Sequence, residues 1–349
     1  MQQKQIAENF DKDDTLVSRS LISGPGFLNV FLNRDFVANA VQHNFLTSSA
    51  EQQEDQQQQQ QHKKTRVVVD FSSPNLAKKM HVGHLRSTII GDSICRILEY
   101  TNEYEVDRVN HLGDWGTQFG MLVAFIKRKY SDSGLSEEKI FESLRSIDEL
   151  QQCYRDAKKL FDNDNSFKTE AHAEVIALQQ PQVTKDEGSS SSSSASVTQR
   201  IWKTVCETSK VELHKIYKML HVKLNDRGES FYAPYISQVI EELEGKQLIQ
   251  QSNGAKVMFA KIPEMRNNVE LLPLMVIKSD GGYTYDTTDL AALWYRLNVQ
   301  KADWCVYVVD AGQGTHFQLV FEAGKIAGWV NKEKHRLTHV VSNVNFYIR

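Results

Sequence analysis

Cysteine is scarce in this sequence: only 4 of its 349 residues are cysteines, and they lie far apart. Cys95, Cys153, Cys206 and Cys305 form no C-x-x-C pair, which argues against a zinc ribbon and against a disulfide framework. Scattered thiols of this kind are typical of a reducing compartment. The sequence therefore predicts free cysteines and no metal site.

Charge of one sign and long apolar runs are also missing. A formal net charge of −3 provides no general attraction to nucleic acid, although a local basic surface would suffice for binding one. No apolar run is long enough to span a membrane. The first residues lack the apolar core of a secretory signal, and Glu8 and Asp11 come too early for an acid-poor transit peptide. We expect a cytoplasmic protein with no membrane attachment.

Two segments have little but polar residues. Residues 51–65 are rich in glutamine, and residues 181–198 are rich in serine. Neither has the apolar side chains that would offset the entropy lost on ordering, so both are predicted to be disordered. The first is predicted to be a linker. The second is predicted to be an insertion, because helical periodicity resumes directly after it with Ile201.

The rest of the chain alternates strand-like and helix-like patterns, which predicts an α/β fold with a parallel sheet. The predicted elements are strands at 66–71, 104–109, 274–277 and 304–309, a helix at 84–100, a helix from the loop 110–116 to about 130, a mainly helical excursion at 137–220, a mixed insertion at 225–275, and a helix after His316. The excursion and the insertion are expected to split the sheet.

The segment His81-Val82-Gly83-His84 lies where the first predicted strand passes to a helix expected to begin near Leu85. Free N–H groups and the helix dipole attract phosphate there, and glycine permits a close approach. The histidines can donate to phosphoryl oxygens, so we interpret the segment as a nucleotide loop. The expected buried face of the helix comprises Leu85, Ile89, Ile94, Ile97 and Leu98. Alone, H-x-G-H is a weak motif: the histidines could start a helix, bind zinc with a distant third ligand, or belong to a compact adenylyl- or cytidylyltransferase.

Three longer segments make the pattern specific. Residues 70–75 with 81–92, residues 110–120 (Asn-His-Leu-Gly-Asp-Trp-Gly-Thr-Gln-Phe-Gly) and residues 283–292 (Tyr-Thr-Tyr-Asp-Thr-Thr-Asp-Leu-Ala-Ala) resemble, in order, three loops of arginyl-tRNA synthetases. The resemblance covers most of residues 66–178 and 200–335. It implies a class I synthetase catalytic domain at 66–349, a Rossmann-like parallel sheet split by an insertion. Residues 1–50, which contain a turn and strand at 24–32, resemble a remnant of the family's additional N-terminal domain.

The resemblance also implies a site for arginine. Its guanidinium would meet Asp289, one helical turn after Tyr285 on a helix starting near Asp286, because a carboxylate can accept a bidentate fork. From spacing alone, Asp286 and Asp289 could equally be helix-start acids, and the asparagines below could be plain turn residues. Asp286 is interpreted as a cap. The other implied arginine-binding residues are Ser73, Pro74, Asn75, His84, Asn110 and Gln313.

The implied reaction needs no covalent nucleophile. His81, Gly83 and His84 would bind ATP, with His81 and His84 as the catalytic residues, while the arginine carboxylate attacks the α-phosphorus and pyrophosphate leaves. Positioning and charge stabilisation would do the catalysis. Mg²⁺ would arrive with ATP as substrate, and no tightly bound cofactor is expected. The implied partners are L-arginine, ATP and tRNA(Arg), and a multi-synthetase assembly is compatible with the family. Asp114 and Trp115 are expected only to brace their loop.

The end of the sequence departs from the family pattern. Residues 339–347 lack the glycine-containing His-Val-x-Phe-Gly run, and neither a K-M-S-K-S-type loop nor a helical anticodon-binding domain occurs within the 349 residues. Two hypotheses therefore stand. One is an arginine–tRNA ligase that is incomplete, and not expected to charge tRNA, as this chain alone. The other is a non-catalytic truncated paralogue or degenerate copy that binds arginine, ATP or a partner.

Overall fold

A computed structural model describes residues 16–23, 27–42, 63–131, 134, 136–179, 196–262 and 271–342. The predicted glutamine tract and serine tract lie almost entirely outside these residues. The chain divides into two compact units, Met1–Lys63 and Lys64–Arg349. In the described part of the chain, no helix is both long and apolar enough to cross a membrane.

The first unit contains an antiparallel pair of strands followed by a short helix. Strand β1 (Val17–Ser23) pairs with β2 (Phe27–Leu32), and α1 (Arg34–Val41) follows directly. Asn33 caps α1 by accepting a hydrogen bond from the backbone N–H of Asp35 at 3.0 Å. The predicted strand is confirmed, whereas the turn before it lies outside the described residues. Helix α1 buries none of its residues.

The second unit is built on a parallel sheet of five strands, which confirms the predicted fold class. Its strands, in spatial order, are β10 (Arg336–Val341), β9 (Trp304–Val309), β3 (Thr65–Phe71), β4 (Tyr104–Asn110) and β5 (Asn225–Asp226). From β3 the chain builds first toward β4 and later, on the other side, toward β9. The order reverses at β3, and such a switch point opens a crevice at the carboxyl ends of the strands.

Helix α2 (Val82–Tyr100) covers one face of the sheet, but only some of the predicted residues face it: Leu98 is buried and Ile94 packs beside it. Ile89 and Ile97 are 52% and 66% exposed, so the expectation was wrong for these two residues. The buried side chains are mostly small or polar: Ser87, Thr88, Gly91, Asp92, Cys95 and Leu98. Small residues let the helix approach β3 closely, because a Cβ on Gly91 would lie 2.2 Å from the ring of Phe71. Close packing against the sheet, rather than apolar periodicity, therefore selects the buried face.

The opposite face of the sheet packs on three helices of the later sequence. These are α8 (Ala233–Gly245), α9 (Tyr285–Asn298) and α10 (Gly314–Ile326). Helices are numbered in chain order, and α3 to α7 are described in the next paragraph. Side chains alternate along β9: Val306 and Val308 face α2, whereas Cys305 and Tyr307 join the core with α9 and α10. This alternation is the period-two pattern of a sheet that is covered on both faces.

The predicted helical excursion is confirmed as a bundle with its own core. It comprises α3 (Thr117–Ser131), α4 (Glu137–Ser143), α5 (Ile147–Asn163), α6 (Asn165–Gln179) and α7 (Val197–Met219). Phe119 and Leu122 of α3 pack there with Leu150 of α5 and Ile201 of α7. All four cysteines are free and buried.

The strand predicted at 274–277 exists but belongs to a different sheet. Strand β8 (Leu272–Ile277) pairs antiparallel with β7 (Ala255–Ala260), which pairs with β6 (Gln250–Ser252). The expectation that it resumes the parallel sheet was therefore wrong. An apolar run defines a strand, but only its partner strand defines the sheet. Residues 225–226, predicted to begin the insertion, instead form the edge of the main sheet.

Candidate active site

A cleft of about 1020 Å³ opens at the carboxyl ends of β3, β4 and β9, where the strand order predicts it. Ten of its lining residues come from the predicted loops or helix ends that arginine and nucleotide recognition would require: Ser73, Asn75, His81, Gly83, His84, His111, Tyr285, Asp289, Gln313 and His316. The three sequence segments therefore converge on one cavity, although they are far apart in the chain.

The loop after β3 is held in an unusual conformation beside this cleft. Ser72 and Ser73 both have positive φ, 71° and 44°, which costs of order 1 kcal/mol or more for each non-glycine residue. Hydrogen bonds stabilise it: the N–H of Ser72 donates to Ser87 Oγ at 2.9 Å, and Ser73 Oγ donates to Asp70 Oδ1 at 2.8 Å. The strain is consistent with a loop shaped for a ligand rather than for a simple turn.

Asn75 is exposed at the end of this loop and lines the cleft. Its backbone bridges to Gly113 in the neighbouring loop, and its Oδ1 accepts a hydrogen bond from Gln118 Nε2 at 3.3 Å. A Cβ on Gly113 would lie 2.0 Å from that Oδ1. The first two loops therefore fit together around the Asn75 amide, and Gly113 leaves the space that this requires.

Asn110 and Pro74 differ from the expectation that they contact the ligand. Asn110 is fully buried: its Oδ1 accepts from the Ser73 N–H at 3.0 Å, and its Nδ2 donates to Asp226 at 2.9 Å. Pro74 is buried, and its carbonyl accepts from the Gly113 N–H. Both residues support the loop from beneath and do not line the cleft. The position of Asn110 at the carboxyl end of β4 was predicted correctly, but the direction of its side chain was not.

The two histidines of the nucleotide loop occupy the first turn of α2, which begins at Val82 rather than near Leu85. His81 is the N-cap: its Nδ1 accepts from the Gly83 N–H at 3.1 Å, while His84 Nδ1 accepts from the His81 N–H at 3.3 Å. The rings stack with centroids 3.8 Å apart. Burial and the nearby charges of His81 and Lys78 lower the pKa of His84 to about 4, so its ring is neutral at pH 7. Since each Nδ1 accepts, each Nε2 carries the hydrogen and can donate to a phosphate.

Asp289 lies in the cleft and is held by two imidazoles. Its Oδ2 is 2.7 Å from His316 Nε2, and its Oδ1 is 3.5 Å from His111 Nε2. Burial would raise the pKa of Asp289, but the His316 hydrogen bond and the charges of His111, His316 and Arg296 hold it below the usual range. Asp289 is therefore an ionised carboxylate in a partly dry site. Tyr285 also lines the cleft, as the i, i+4 spacing predicts, and is 63% exposed.

Asp286 is not the plain cap that the sequence suggested. Thr284 is the N-cap of α9, and Asp286 instead accepts from the Met275 N–H at 2.9 Å through Oδ2 and lies 3.2 Å from His316 Nδ1 through Oδ1. Burial alone would lower the pKa of His316, but hydrogen bonds to Asp286 and Asp289 raise it to about 9. Asp286 therefore joins β8 to the site.

Several lining residues were missed at the level of the sequence. Glu229 lies at the start of the mixed insertion, and burial together with the charges of Asp114 and Asp289 raises its carboxyl pKa well above the usual value. Lys278 contributes an ammonium group, 3.4 Å from Thr117 Oγ1. Neither residue lies within the three segments that resemble the family loops. The only sequence signal is that Lys278 directly follows the predicted strand 274–277; no sequence signal pointed to Glu229.

Asp114 braces the second loop, as expected. Its carboxylate accepts from the N–H of Ser230 at 2.9 Å and from the Ser230 hydroxyl at 2.6 Å, and its backbone carbonyl accepts from Trp202 Nε1 at 2.7 Å. Trp115 is buried in the core and also forms part of the cleft wall. Together they fix the second loop to the helical excursion and to the mixed insertion.

Comparison with known proteins gives a consistent result. Residues 46–345 match the model of a family described as tRNA synthetases class I (R), catalytic domain. The chain is 44% identical over 328 residues to the cytoplasmic arginine–tRNA ligase of Arabidopsis thaliana, covering 93% of this chain and 50% of that protein. It is 42% identical over 341 residues to the human cytoplasmic arginine–tRNA ligase, covering 96% and 46%. The chain thus spans about half the length of these relatives.

The fold is similar to that of a solved relative. The crystal structure of arginyl-tRNA synthetase from Plasmodium falciparum superposes with a TM-score of 0.65 at 35% sequence identity, covering 94% of this chain and 52% of that one.

Proposed function

The chain belongs to the arginyl-tRNA synthetase family of class I, and we propose that its cleft binds L-arginine and ATP and forms arginyl-adenylate for transfer to tRNA(Arg). The observation that carries this proposal is Asp289, an ionised carboxylate in the cleft that also contains the histidine loop. A cationic ligand and a phosphate ligand would therefore meet in one cavity.

The guanidinium would bind at Asp289. Arginine offers five donors in a planar fork, and a carboxylate accepts two of them in parallel. Glu229, whose carboxyl pKa is raised by burial and by Asp114 and Asp289, would ionise more readily beside a cation and could accept a third donor. The exposed ring of Tyr285 provides a face for the guanidinium plane or for the aliphatic stem.

The α-amino and carboxylate groups would bind nearer the strand ends. Asn75 and Gln313 are exposed in the cleft and offer amide donors and acceptors. Ser73 contributes the loop backbone. Asn110 and Pro74 would act from beneath, by holding Ser73 and Gly113 in position.

ATP would bind at the start of α2. The helix N-terminus attracts phosphate, Gly83 allows a close approach, and the Nε2–H groups of His81 and His84 point away from their Nδ1 contacts. A neutral His84 can donate a hydrogen bond from its Nε2–H. Because the ring is not an imidazolium, it has no acidic proton to transfer to the substrate. Mg²⁺ would arrive as part of the nucleotide substrate and neutralise charge on its phosphates.

In the reaction, a carboxylate oxygen of arginine bonds to the α-phosphorus of ATP as the bond to the β-phosphate oxygen breaks. The electron pair leaves with pyrophosphate, and no enzyme nucleophile takes part. The chain's residues hold the two substrates in line and stabilise the phosphoryl charge. In the second step, a ribose hydroxyl of tRNA(Arg) would attack the arginyl carbonyl and release AMP. The proposed setting is the cytoplasm, where co-purification would test assembly with other synthetases.

The deciding experiment is arginine binding by the Asp289→Asn variant. Losing a buried charge-assisted pair costs on the order of 2–5 kcal/mol, which is roughly 30-fold or more in affinity. Calorimetric titration should therefore show arginine binding by the wild type, none detectable by the variant, and equal ATP binding by both. Equal arginine affinities would place the pocket elsewhere.

Pyrophosphate exchange with tRNA present distinguishes the ligase from a degenerate copy. A ligase exchanges label between pyrophosphate and ATP only when arginine is added. Arginine binding without any exchange, in a form of the protein that also carries a K-M-S-K-S-type loop, would identify a non-catalytic member of the family.

A further inference from the structure

His316 is the most unusual charged group of the cleft. It lies in the first turn of α10, and its two ring nitrogens each meet a carboxylate: Nε2 is 2.7 Å from Asp289 Oδ2, and Nδ1 is 3.2 Å from Asp286 Oδ1. An ionised carboxylate only accepts hydrogen bonds. Both nitrogens must therefore donate, and a ring that donates from both nitrogens is an imidazolium.

The same carboxylate is the one that the guanidinium requires. A bidentate fork uses both oxygens of a carboxylate, yet Oδ2 of Asp289 is already bonded to His316, while Oδ1 lies only at 3.5 Å from His111. His316 is 16% exposed and faces the cleft. Oδ2 has a second lone pair that a guanidinium could use, but the guanidinium would then lie beside the imidazolium, and two adjacent cations repel each other.

We propose that His316 is the internal counter-cation and positioning residue of the guanidinium site, and that arginine binding displaces its ring from Asp289 and releases its Nε2 proton to solvent. This inference rests on the proposed function, because it assumes that arginine binds at Asp289. The neutral ring keeps its Nδ1–H bond to Asp286. Its Nε2 lone pair then faces the ligand and accepts from a guanidinium N–H, so the ring changes from competitor to acceptor.

The surroundings of His316 agree with a ring whose charge depends on the occupant of the cleft. On α9 the ring is faced by Tyr285, Asp286 and Asp289, and Asp286 also accepts from the Met275 N–H of β8. His111 and Glu229 lie near Asp289, and His339 of β10 packs against Phe317. Asp310, in the loop before α10, lines the same cleft. In the empty cleft the carboxylates hold the ring proton, and the pKa of His316 is about 9. A second cation beside Asp289 opposes that effect and favours the neutral ring.

Linkage gives the size and sign of the effect. If the bound ring returns toward the ordinary pKa of about 6.5, arginine binding at pH 7.5 releases on the order of one proton. By reciprocity, raising the pH from 6.5 to 8.0 tightens arginine binding by up to about tenfold per pH unit. The arginine α-amino group remains protonated over this range, so it does not produce the same trend.

The test measures heat and ring charge in the same protein. Arginine is titrated calorimetrically into the chain in two buffers of different ionisation enthalpy at pH 7.5, and the difference gives the number of protons released. The matched control is His316→Gln, which retains an N–H donor for Asp289 but cannot titrate. We expect the wild type to release about one proton more than His316→Gln, and its arginine affinity to rise more steeply between pH 6.5 and 8.0. Any proton that Glu229 loses beside the bound cation is common to both proteins and cancels in this difference.

Nitrogen-15 spectra of the histidine side chains test the ring directly and do not depend on a variant that folds. We expect imidazolium at His316 in the free protein and a neutral ring with arginine bound. A neutral ring in the free protein, or an imidazolium that persists at saturation with no proton released, would overturn the inference. If no arginine binds, the proposed function fails, and the displacement of His316 by arginine fails with it. The spectrum of the free protein would still show whether His316 is an imidazolium, and so would separate that premise from the premise that arginine binds at Asp289.

Discussion

A buried ion pair beneath the cleft provides the sharpest test of how the site is supported. Arg296 of α9 is 1% exposed, and its Nη2 lies 2.6 Å from Oδ2 of Asp70, which is 5% exposed. Asp70 also accepts from Ser73 Oγ, in the loop with positive φ. The guanidinium lies over the ring of Tyr307, 4.9 Å from its centroid. The pair therefore links α9, β3 and β9 to the loop after β3 that contains Ser72 and Ser73.

Arg296→Met should destabilise the protein by about 3–5 kcal/mol, because it leaves the Asp70 carboxylate buried without a counter-charge. That is a large part of the roughly 5–15 kcal/mol by which a folded domain is usually stable. Asp70→Asn should lower the free energy of unfolding by a similar amount, since it leaves the Arg296 guanidinium buried without a counter-charge. The double variant removes both charges, and its loss should be smaller than the sum of the two by at least about 2 kcal/mol.

Urea denaturation followed by far-ultraviolet circular dichroism gives the four free energies of unfolding. A control substitution of exposed Arg155, which donates a hydrogen bond to the exposed amide oxygen of Gln152, should change the stability by less than about 0.5 kcal/mol. If Arg296→Met lost less than about 1 kcal/mol, or if the single losses simply added, the pair would not act as the charge-balanced support inferred from the structure.

Two further predictions concern the histidines. In a form of the protein that also carries a K-M-S-K-S-type loop, His81→Ala and His84→Ala should each slow arginine-dependent pyrophosphate exchange by roughly 10²–10³-fold, and by more than they weaken arginine binding; near wild-type exchange by both variants would contradict the nucleotide-loop assignment. His316 has a pKa of about 9 in the folded protein, above the ordinary value of about 6.5 expected in the unfolded chain, and should therefore contribute about 3 kcal/mol to the stability of the ligand-free protein. That contribution is fully present below pH 6.5 and is lost as the pH rises to about 9, so unfolding free energies measured across this range should fall in the wild type but not in His316→Gln; a flat wild-type profile would count against an imidazolium in the empty cleft.

Local sequence determined the parts of this protein that depend on short segments. Strands β3, β4 and β9 and helix α2 follow from apolar runs and alternation, within a few residues of their observed limits. The helix start at His81–His84 and the shared helix face of Tyr285 and Asp289 were predicted from residues that lie within one or two helical turns of each other. Such features need only neighbouring residues, because capping and the i, i+4 relation act within one helix.

Tertiary structure decided which side chains meet across these segments. The sequence alone did not predict that His316 contacts both Asp286 and Asp289, and it expected the Asn110 amide in the cleft rather than below it. The contacts of these groups join residues that are distant in the chain: 27 positions separate His316 from Asp289, and 226 separate Arg296 from Asp70.

The same distinction explains two of the errors in the predicted fold. Helix α2 buries Gly91 and Ser87 instead of Ile89 and Ile97, because Phe71 of the sheet requires small neighbours. Strand β8 joins an antiparallel sheet, because β7 offers its free edge. Periodicity encodes how apolar a face is, whereas burial and pairing depend on the surface opposite. That surface exists only once the chain has folded, so the sequence pattern predicted the elements and the packing chose their partners.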